Sequence, residues 1–237
     1  IIYNGFYIIN LNRERILMSI ESKEYNFILF DLDGTITDSK PGIVNSILYA
    51  LESFDIYEED IDKLEFFIGP PLVASFKGMY GFDDDKAALA VEKYREYYRD
   101  KGIYENTLYN GIDYVIKNLY DNSKRLIVAT SKPTIFAKEV LQHHNLSQYF
   151  EEIIGSNLDG TRANKDEVID HILGSVYPVN RDQIIMIGDR KYDIDGARQH
   201  GIDSIGALYG YASTEEIKSC NPTYIVEDPQ GLLPILI

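Results

Sequence analysis

The sequence is poor in the residues that staple and ligate. A single cysteine, Cys220, in 237 residues excludes an internal disulfide framework and a cysteine-rich zinc site. Four scattered histidines do not make a histidine metal cluster. Positive charge is also scarce. Lys and Arg total 23 against 38 Asp and Glu, a net charge of −15. Such a chain repels phosphate backbones and anionic headgroups, which argues against nucleic acid and membrane surfaces as partners. It can handle a small phosphate ester only where a divalent cation and a few local cations reverse the field. Residues 1–12 carry no charge but are too few to span a bilayer, and Asn4, Gly5, Asn10 and Asn12 interrupt them. Arg13 and Arg15 follow that stretch, whereas a secretory leader places its positive charge first. The expectation is a cytoplasmic protein with residues 1–22 as an N-terminal extension and Met18 as its biological start.

What is present is enough apolar material for a packed core, 45% of residues. The length fits one α/β core carrying an inserted subdomain. Residues 26–31 form a short apolar run ending in Asp31. Runs of this kind read as parallel strands buried on both faces. Similar runs occupy residues 125–130, 152–155, 183–188, 204–208 and 223–226. Helical patterns over about residues 111–121, 133–145, 164–174 and 193–200 alternate with them, with Pro133 placed in the first turn of its helix. The alternation predicts a doubly wound, Rossmann-like parallel sheet. It breaks between residues 39 and 107. There Ile43, Val44, Ile47, Leu48 and Leu51 follow helical spacing, as do Ala87, Ala90, Val91, Tyr94 and Tyr98. Gly69, Pro70 and Pro71 mark a turn between the two patterns. The expected organisation is a core of residues 23–38 and 108–237 with a helical cap at 39–107.

The strongest chemical signal is Asp31-Leu32-Asp33-Gly34-Thr35, directly after the first core strand. Sites in parallel α/β sheets form beyond the carboxyl ends of strands. Gly34 permits the turn that such a site needs. Three other signals are bland one at a time. Thr130 reads as a strand-end threonine, Lys165 as a solvated helix residue, and Asp189 and Asp193 as an N-cap and a first-turn acid. Their order lifts them. Asp31-x-Asp33-Gly34-Thr35, then Thr130 with Ser131, Lys132 and Pro133, then Lys165, then Gly188-Asp189-x-x-x-Asp193 resemble the four motifs of the haloacid dehalogenase superfamily. The resemblance covers residues 26 to about 230, and residues 39–107 look like that family's C1 cap. Ile68-Gly69-Pro70-Pro71-Leu72 and Thr130-Ser131-Lys132-Pro133 look closest to its phosphoglycolate phosphatase-like branch.

The resemblance implies Mg²⁺-dependent hydrolysis of small phosphate monoesters through an aspartyl-phosphate on Asp31. Phosphoglycolate and nucleoside 5′-monophosphates are the competing substrates. It implies metal ligation by Asp31, Asp189 and the Asp33 carbonyl, and phosphate binding by Thr130, Ser131 and Lys165. Gly34, Thr35 and Asp193 support the site, Asp193 by orienting Lys165 or a metal-bound water. Asp33 serves as general acid and base, which requires it to be held protonated by neighbouring carboxylates and burial. Arg190 and Lys191 stand near the entrance as weak candidates for a second substrate anion, and residues 206–211 as a rim or a plain loop. A β-phosphoglucomutase-like mutase and a non-catalytic binding protein on the same fold are the alternatives.

Overall fold

The computed structural model describes residues 6–11, 14–19, 23–175 and 180–237. Strands β1 (Phe6–Leu11) and β2 (Glu14–Ser19) pair antiparallel with each other, from Phe6 opposite Ser19 to Leu11 opposite Glu14. They form a sheet separate from the central one. Met18, the expected start, falls within β2, and residues 1–5, 12–13 and 20–22 of the expected extension lie outside the described residues.

The core begins with β3 (Phe27–Phe30), buried at every position. The two-residue strand β4 (Thr37–Asp38) follows, then helices α1 (Lys40–Glu52), α2 (Leu72–Tyr80) and α3 (Asp84–Asp100), and the short β5 (Thr107–Leu108). From there strands and helices alternate: α4 (Ile112–Asp121), β6 (Arg125–Pro133), α5 (Thr134–His143), β7 (Glu152–Ser156), α6 (Lys165–Ser175), β8 (Ile184–Gly188), α7 (Lys191–Gln199), β9 (Asp203–Ala207), α8 (Thr214–Ser219), β10 (Tyr224–Val226) and α9 (Leu233–Leu236). The central sheet runs β10-β9-β8-β3-β6-β7, every neighbouring pair parallel.

The strand pattern explains the sheet. Ile28 and Phe30 of β3, Leu126 and Val128 of β6, and Ile185 and Ile187 of β8 share one apolar cluster. The alternate residues Phe27, Leu29, Ile127, Ala129, Ile184 and Met186 share another on the opposite face. Period-two alternation into two apolar layers is what a sheet covered by helices on both sides requires. Because the strands are parallel, the carboxyl ends of β3, β6 and β8 open side by side, and the chemistry-bearing residues follow from there.

The insertion is helical, and its entry and exit are pinned together. Thr37 pairs with Leu108 and Asp38 with Thr107 in a small antiparallel ribbon, a neck that two-residue strands give no sequence signal for. α2 and α3 are set at their ends as the sequence suggests. Pro71 occupies the N-cap of α2, Gly81 closes it in the left-handed conformation, and the Asp83 carboxylate caps α3 by accepting from the Lys86 N–H. Ile43, Ile47, Leu51, Phe76, Ala87 and Tyr98 are continuous with the apolar cluster on the sheet face. Pro133 differs from expectation. It ends β6 and stands at the N-cap of α5 rather than in the helix, because the β6–β7 ladder resumes at Pro133 opposite Ser156. Among the described residues no helix is long and apolar enough to cross a membrane.

Candidate active site

The turn after β3 builds the floor of the site. Leu32 is fully buried, and its carbonyl accepts from the Ile36 and Thr37 N–H groups at 2.9 and 3.0 Å. That curl leaves Asp31 and Asp33 both lining one cleft. Gly34 has φ 91°, and a Cβ there would overlap the Asp189 carboxylate, so the position needs glycine for two separate reasons.

Three strand ends converge here. Asp31 follows β3, Thr130 lies on β6, and Asp189 follows β8. The carboxylates of Asp31, Asp189 and Asp193 each offer an oxygen within 4.8 Å of the others, and all three are buried. Lys165, at the start of α6, reaches across to Asp31 Oδ1 and Asp193 Oδ1, each at 2.8 Å, and donates to the Ala129 carbonyl at 2.8 Å. Asp193 thus pairs with Lys165, and it also accepts from the Arg190 N–H at 3.1 Å, closing the first turn of α7. The Thr35 hydroxyl donates to Asp189 Oδ1 at 3.2 Å and the Tyr211 N–H to Oδ2 at 2.8 Å.

Charge is unbalanced in this cluster. Three carboxylates against one ammonium leave a formal −2 in a buried place. Burial pushes the Asp31 carboxyl up to about 6, opposed by Lys165 and reinforced by Asp193. Burial also raises Asp189 well above the usual carboxylate range, with Asp193 and Asp31 adding to it. Burial works against the Lys165 charge, but Asp193 and Asp31 outweigh it and raise its pKa. Oxygen donors, a deficit of two positive charges and closely spaced carboxylates fit a hard divalent cation.

A stability prediction follows. Asp31 and Asp189 have raised pKa values in the folded chain, so their stabilising share is full below the ordinary carboxylate value of 3.8 and is lost as pH rises, for Asp31 through about 6. Glu58, held down to about 2 by Lys63 and Tyr80, acts in the opposite sense only below its ordinary 4.5. In chelator, the melting temperature is expected to rise by about a few degrees from pH 7 to pH 5. Excess divalent cation should flatten that slope, and Asp189→Asn should reduce it. A chelated wild type that loses stability over this interval contradicts the assignment.

Asp33 differs from expectation. Its side chain stands apart from the acidic cluster. Lys132 Nζ lies 2.6 Å from Oδ1 and 2.7 Å from Oδ2, and the Ser39 hydroxyl donates to Oδ1 at 2.5 Å. The neighbour is a cation, not the carboxylates that were expected to hold Asp33 protonated. Lys132 is buried and lies 5.0 Å from the Tyr98 ring centroid. The sequence names it only as a member of the Thr130 motif, without a role, although it stands two residues from Thr130 on a buried strand, where a lysine needs an anionic partner. Ser39 ties Asp33 to the neck, since its hydroxyl also meets the Thr37 hydroxyl at 2.9 Å.

Thr130 is buried, with its Oγ accepting from the Lys132 N–H at 3.2 Å, and both it and Ser131 line the cleft. The loop after β9 proves to be part of the site rather than a plain loop. Besides its N–H to Asp189, Tyr211 donates its hydroxyl to Asp38 at 2.8 Å and accepts from the Ser39 N–H at 2.7 Å. Arg190 is not available for a second substrate anion. Its guanidinium donates to the Ile68 carbonyl at 2.7 Å and to Glu216 at 3.1 Å, fastening the insertion to the core.

Comparison with known proteins identifies the family. Residues 28–207 match the model of the family described as haloacid dehalogenase-like hydrolase. The chain belongs to the haloacid dehalogenase-like hydrolases. Among curated members it is 43% identical to a 5′-nucleotidase of Pseudomonas aeruginosa over 212 residues, covering 90% of this chain and 96% of that one. It is 25% identical to a phosphoglycolate phosphatase of Vibrio parahaemolyticus over 222 residues, covering 90% and 97%. The crystal structure of a predicted phosphatase from Clostridium acetobutylicum superposes with a TM-score of 0.85 at 46% identity, covering 88% and 96%. Within the haloacid dehalogenase-like hydrolases this chain is a phosphatase, an enzyme rather than a binding protein on a borrowed fold.

Proposed function

We propose that the chain is a Mg²⁺-dependent phosphatase of small organic phosphate monoesters, with nucleoside 5′-monophosphates as its first substrate class and phosphoglycolate behind them. One observation carries the reading. Asp31, Asp189, Asp193 and Lys165 form a single buried constellation beneath a cleft of about 200 Å³. The order of substrates rests on the 43% identity to a nucleotidase against 25% to a phosphoglycolate phosphatase.

Asp31, Asp189 and the Asp33 carbonyl would hold the ion, with the Asp193 carboxylate beside them. The ion supplies charge neutralisation for the ester and for the attacking carboxylate. Asp31 is the nucleophile. Its oxygen forms a bond to phosphorus as the bond from phosphorus to the ester oxygen breaks. Lys165 keeps Asp31 ionised and directed, and the Thr130 hydroxyl and the Ser131 N–H donate to the phosphoryl oxygens. Asp33 delivers a proton to the leaving alkoxide. It then takes a proton from the water that attacks phosphorus and releases Asp31 and inorganic phosphate. For Asp33 to do this its ion pair with Lys132 must open, and Lys132 afterwards steadies the ionised form.

Phosphate release from 5′-AMP, 5′-GMP, phosphoglycolate, pyrophosphate and glucose 1-phosphate tests the proposal. Nucleotides are expected to turn over fastest, chelation to stop release and Mg²⁺ to restore it. Release that survives chelation, or none from any ester, contradicts it. Lys132→Met is expected to lower kcat by about tenfold or more, as part of the 10²- to 10⁴-fold that a general acid/base contributes. Single-turnover phosphorylation rates matching wild type would remove Lys132 from that role.

A further inference from the structure

One wall of the cleft is a single face of α3. Val91, Tyr94, Arg95 and Tyr98 recur at helical spacing and all line it. Arg95 is the odd member. It is half-buried, and among the described residues its guanidinium makes no hydrogen bond or ion pair. Burial and the neighbouring Arg99 both work against its charge, with Glu92 and Tyr94 opposing them. In a chain with 38 acidic residues, an arginine held in a cleft with no carboxylate at ion-pair distance among the described residues is out of keeping. The other cation lining the cleft, Lys132, is taken by Asp33. The Tyr94 hydroxyl, beside Arg95, has no hydrogen-bond partner among the described residues, and the Tyr94 ring is stacked on Tyr98 with centroids 5.4 Å apart.

The two ends of the cleft therefore differ in kind. Asp31 and Thr130 come from the sheet ends, whereas Arg95 comes from the insertion, so on the phosphatase reading it stands on the side of the cleft open to the leaving group. A guanidinium presents two parallel N–H donors, a geometry that matches two adjacent acceptors on one planar group.

We propose that Arg95 is the specificity-determining residue of this site, binding a paired-acceptor edge on the leaving alcohol with the Tyr94 hydroxyl as a further donor. This rests on the phosphatase reading above and adds to it the class of leaving group. A carboxylate and the carbonyl-plus-ring-nitrogen edge of a purine share this acceptor chemistry.

The test compares kcat/KM of wild type, Arg95→Ala and Arg95→Lys, all with Mg²⁺, on phosphoglycolate, 5′-GMP and phenyl phosphate. Phenyl phosphate has no paired acceptors on its leaving group. Arg95→Ala is expected to lower kcat/KM for an acceptor-bearing substrate by at least about tenfold more than for phenyl phosphate, mainly through KM, as loss of a charged hydrogen bond implies. Rescue of phosphoglycolate turnover by Arg95→Lys identifies a carboxylate, read as charge. Loss on 5′-GMP without rescue identifies the purine edge, which a point charge cannot replace. An equal loss on all three esters, or none beyond about twofold on any, overturns the proposal while leaving the phosphatase reading intact. A wild type that hydrolyses none of the three, phenyl phosphate included, overturns both.

Discussion

Asp31→Asn is expected to lower kcat by at least about 10⁴-fold, the scale seen when a covalent nucleophile is removed, while the protein remains folded. The two expectations have one physical source. Asn matches Asp in shape and keeps an acceptor for Lys165, but its amide cannot form the bond to phosphorus. The substitution also removes one of the three crowded carboxylates. Asp31 is costly to ionise where it sits, since burial pushes it up to about 6. The metal-free variant should therefore melt at or above the wild-type temperature at pH 7. Activity within about tenfold of wild type would remove Asp31 from the nucleophile role.

Lys165→Met is expected to be the most damaging single change to stability. The ammonium is buried and joins Asp31 to Asp193 at 2.8 Å each. Removing one member of a buried ion pair leaves its partners charged and unsolvated, a cost of about 3–5 kcal/mol. For a chain of this size that corresponds to a fall in melting temperature of about 6–20 °C. Combining Lys165→Met with Asp193→Asn should recover part of it, because one orphaned charge goes with the lysine. A divalent cation should recover part as well. Thermal melts in chelator and in Mg²⁺ measure both. A Lys165→Met protein with wild-type stability in chelator would mean that the −2 imbalance is not real.

These effects were legible in the sequence to different degrees. The central strands could be read because burial on both faces leaves runs such as that of β3, where all four positions are apolar. The turn after β3 could be read because Asp31, Asp33 and Gly34 fall within four residues. Asp189 and Asp193 carried a second local signal, four residues apart at a strand-to-helix junction. The neck between β4 and β5 could not be read, since two residues are too few to display a period. The end of β6 was hidden for a related reason. Pro133 fits a helix start as well as a strand end, and its ladder partner Ser156 is far along the chain.

The contacts that the sequence did not show share one property: their partners are remote. Lys132 meets Asp33 across 99 positions, and Arg190 meets Ile68 across 122. Tyr211 reaches back to Asp38 and Ser39. Local spacing gives no access to such pairs, and composition gives only a hint, that a buried lysine in a strand must have an anion nearby. The correction to Asp33 has the same origin. Its sequence neighbours suggested crowding by acids, whereas the fold supplies Lys132 and the neck serine.

The identity of the group that attacks phosphorus is tested most directly by rapid acid quench with a ³²P-labelled ester, followed by peptide mapping, using Asp33→Asn to slow breakdown of the intermediate. The account predicts label on the peptide containing Asp31, at that side chain, appearing before free phosphate and absent from Asp31→Asn. Phosphate release at the full single-turnover rate with no label on Asp31 would contradict it.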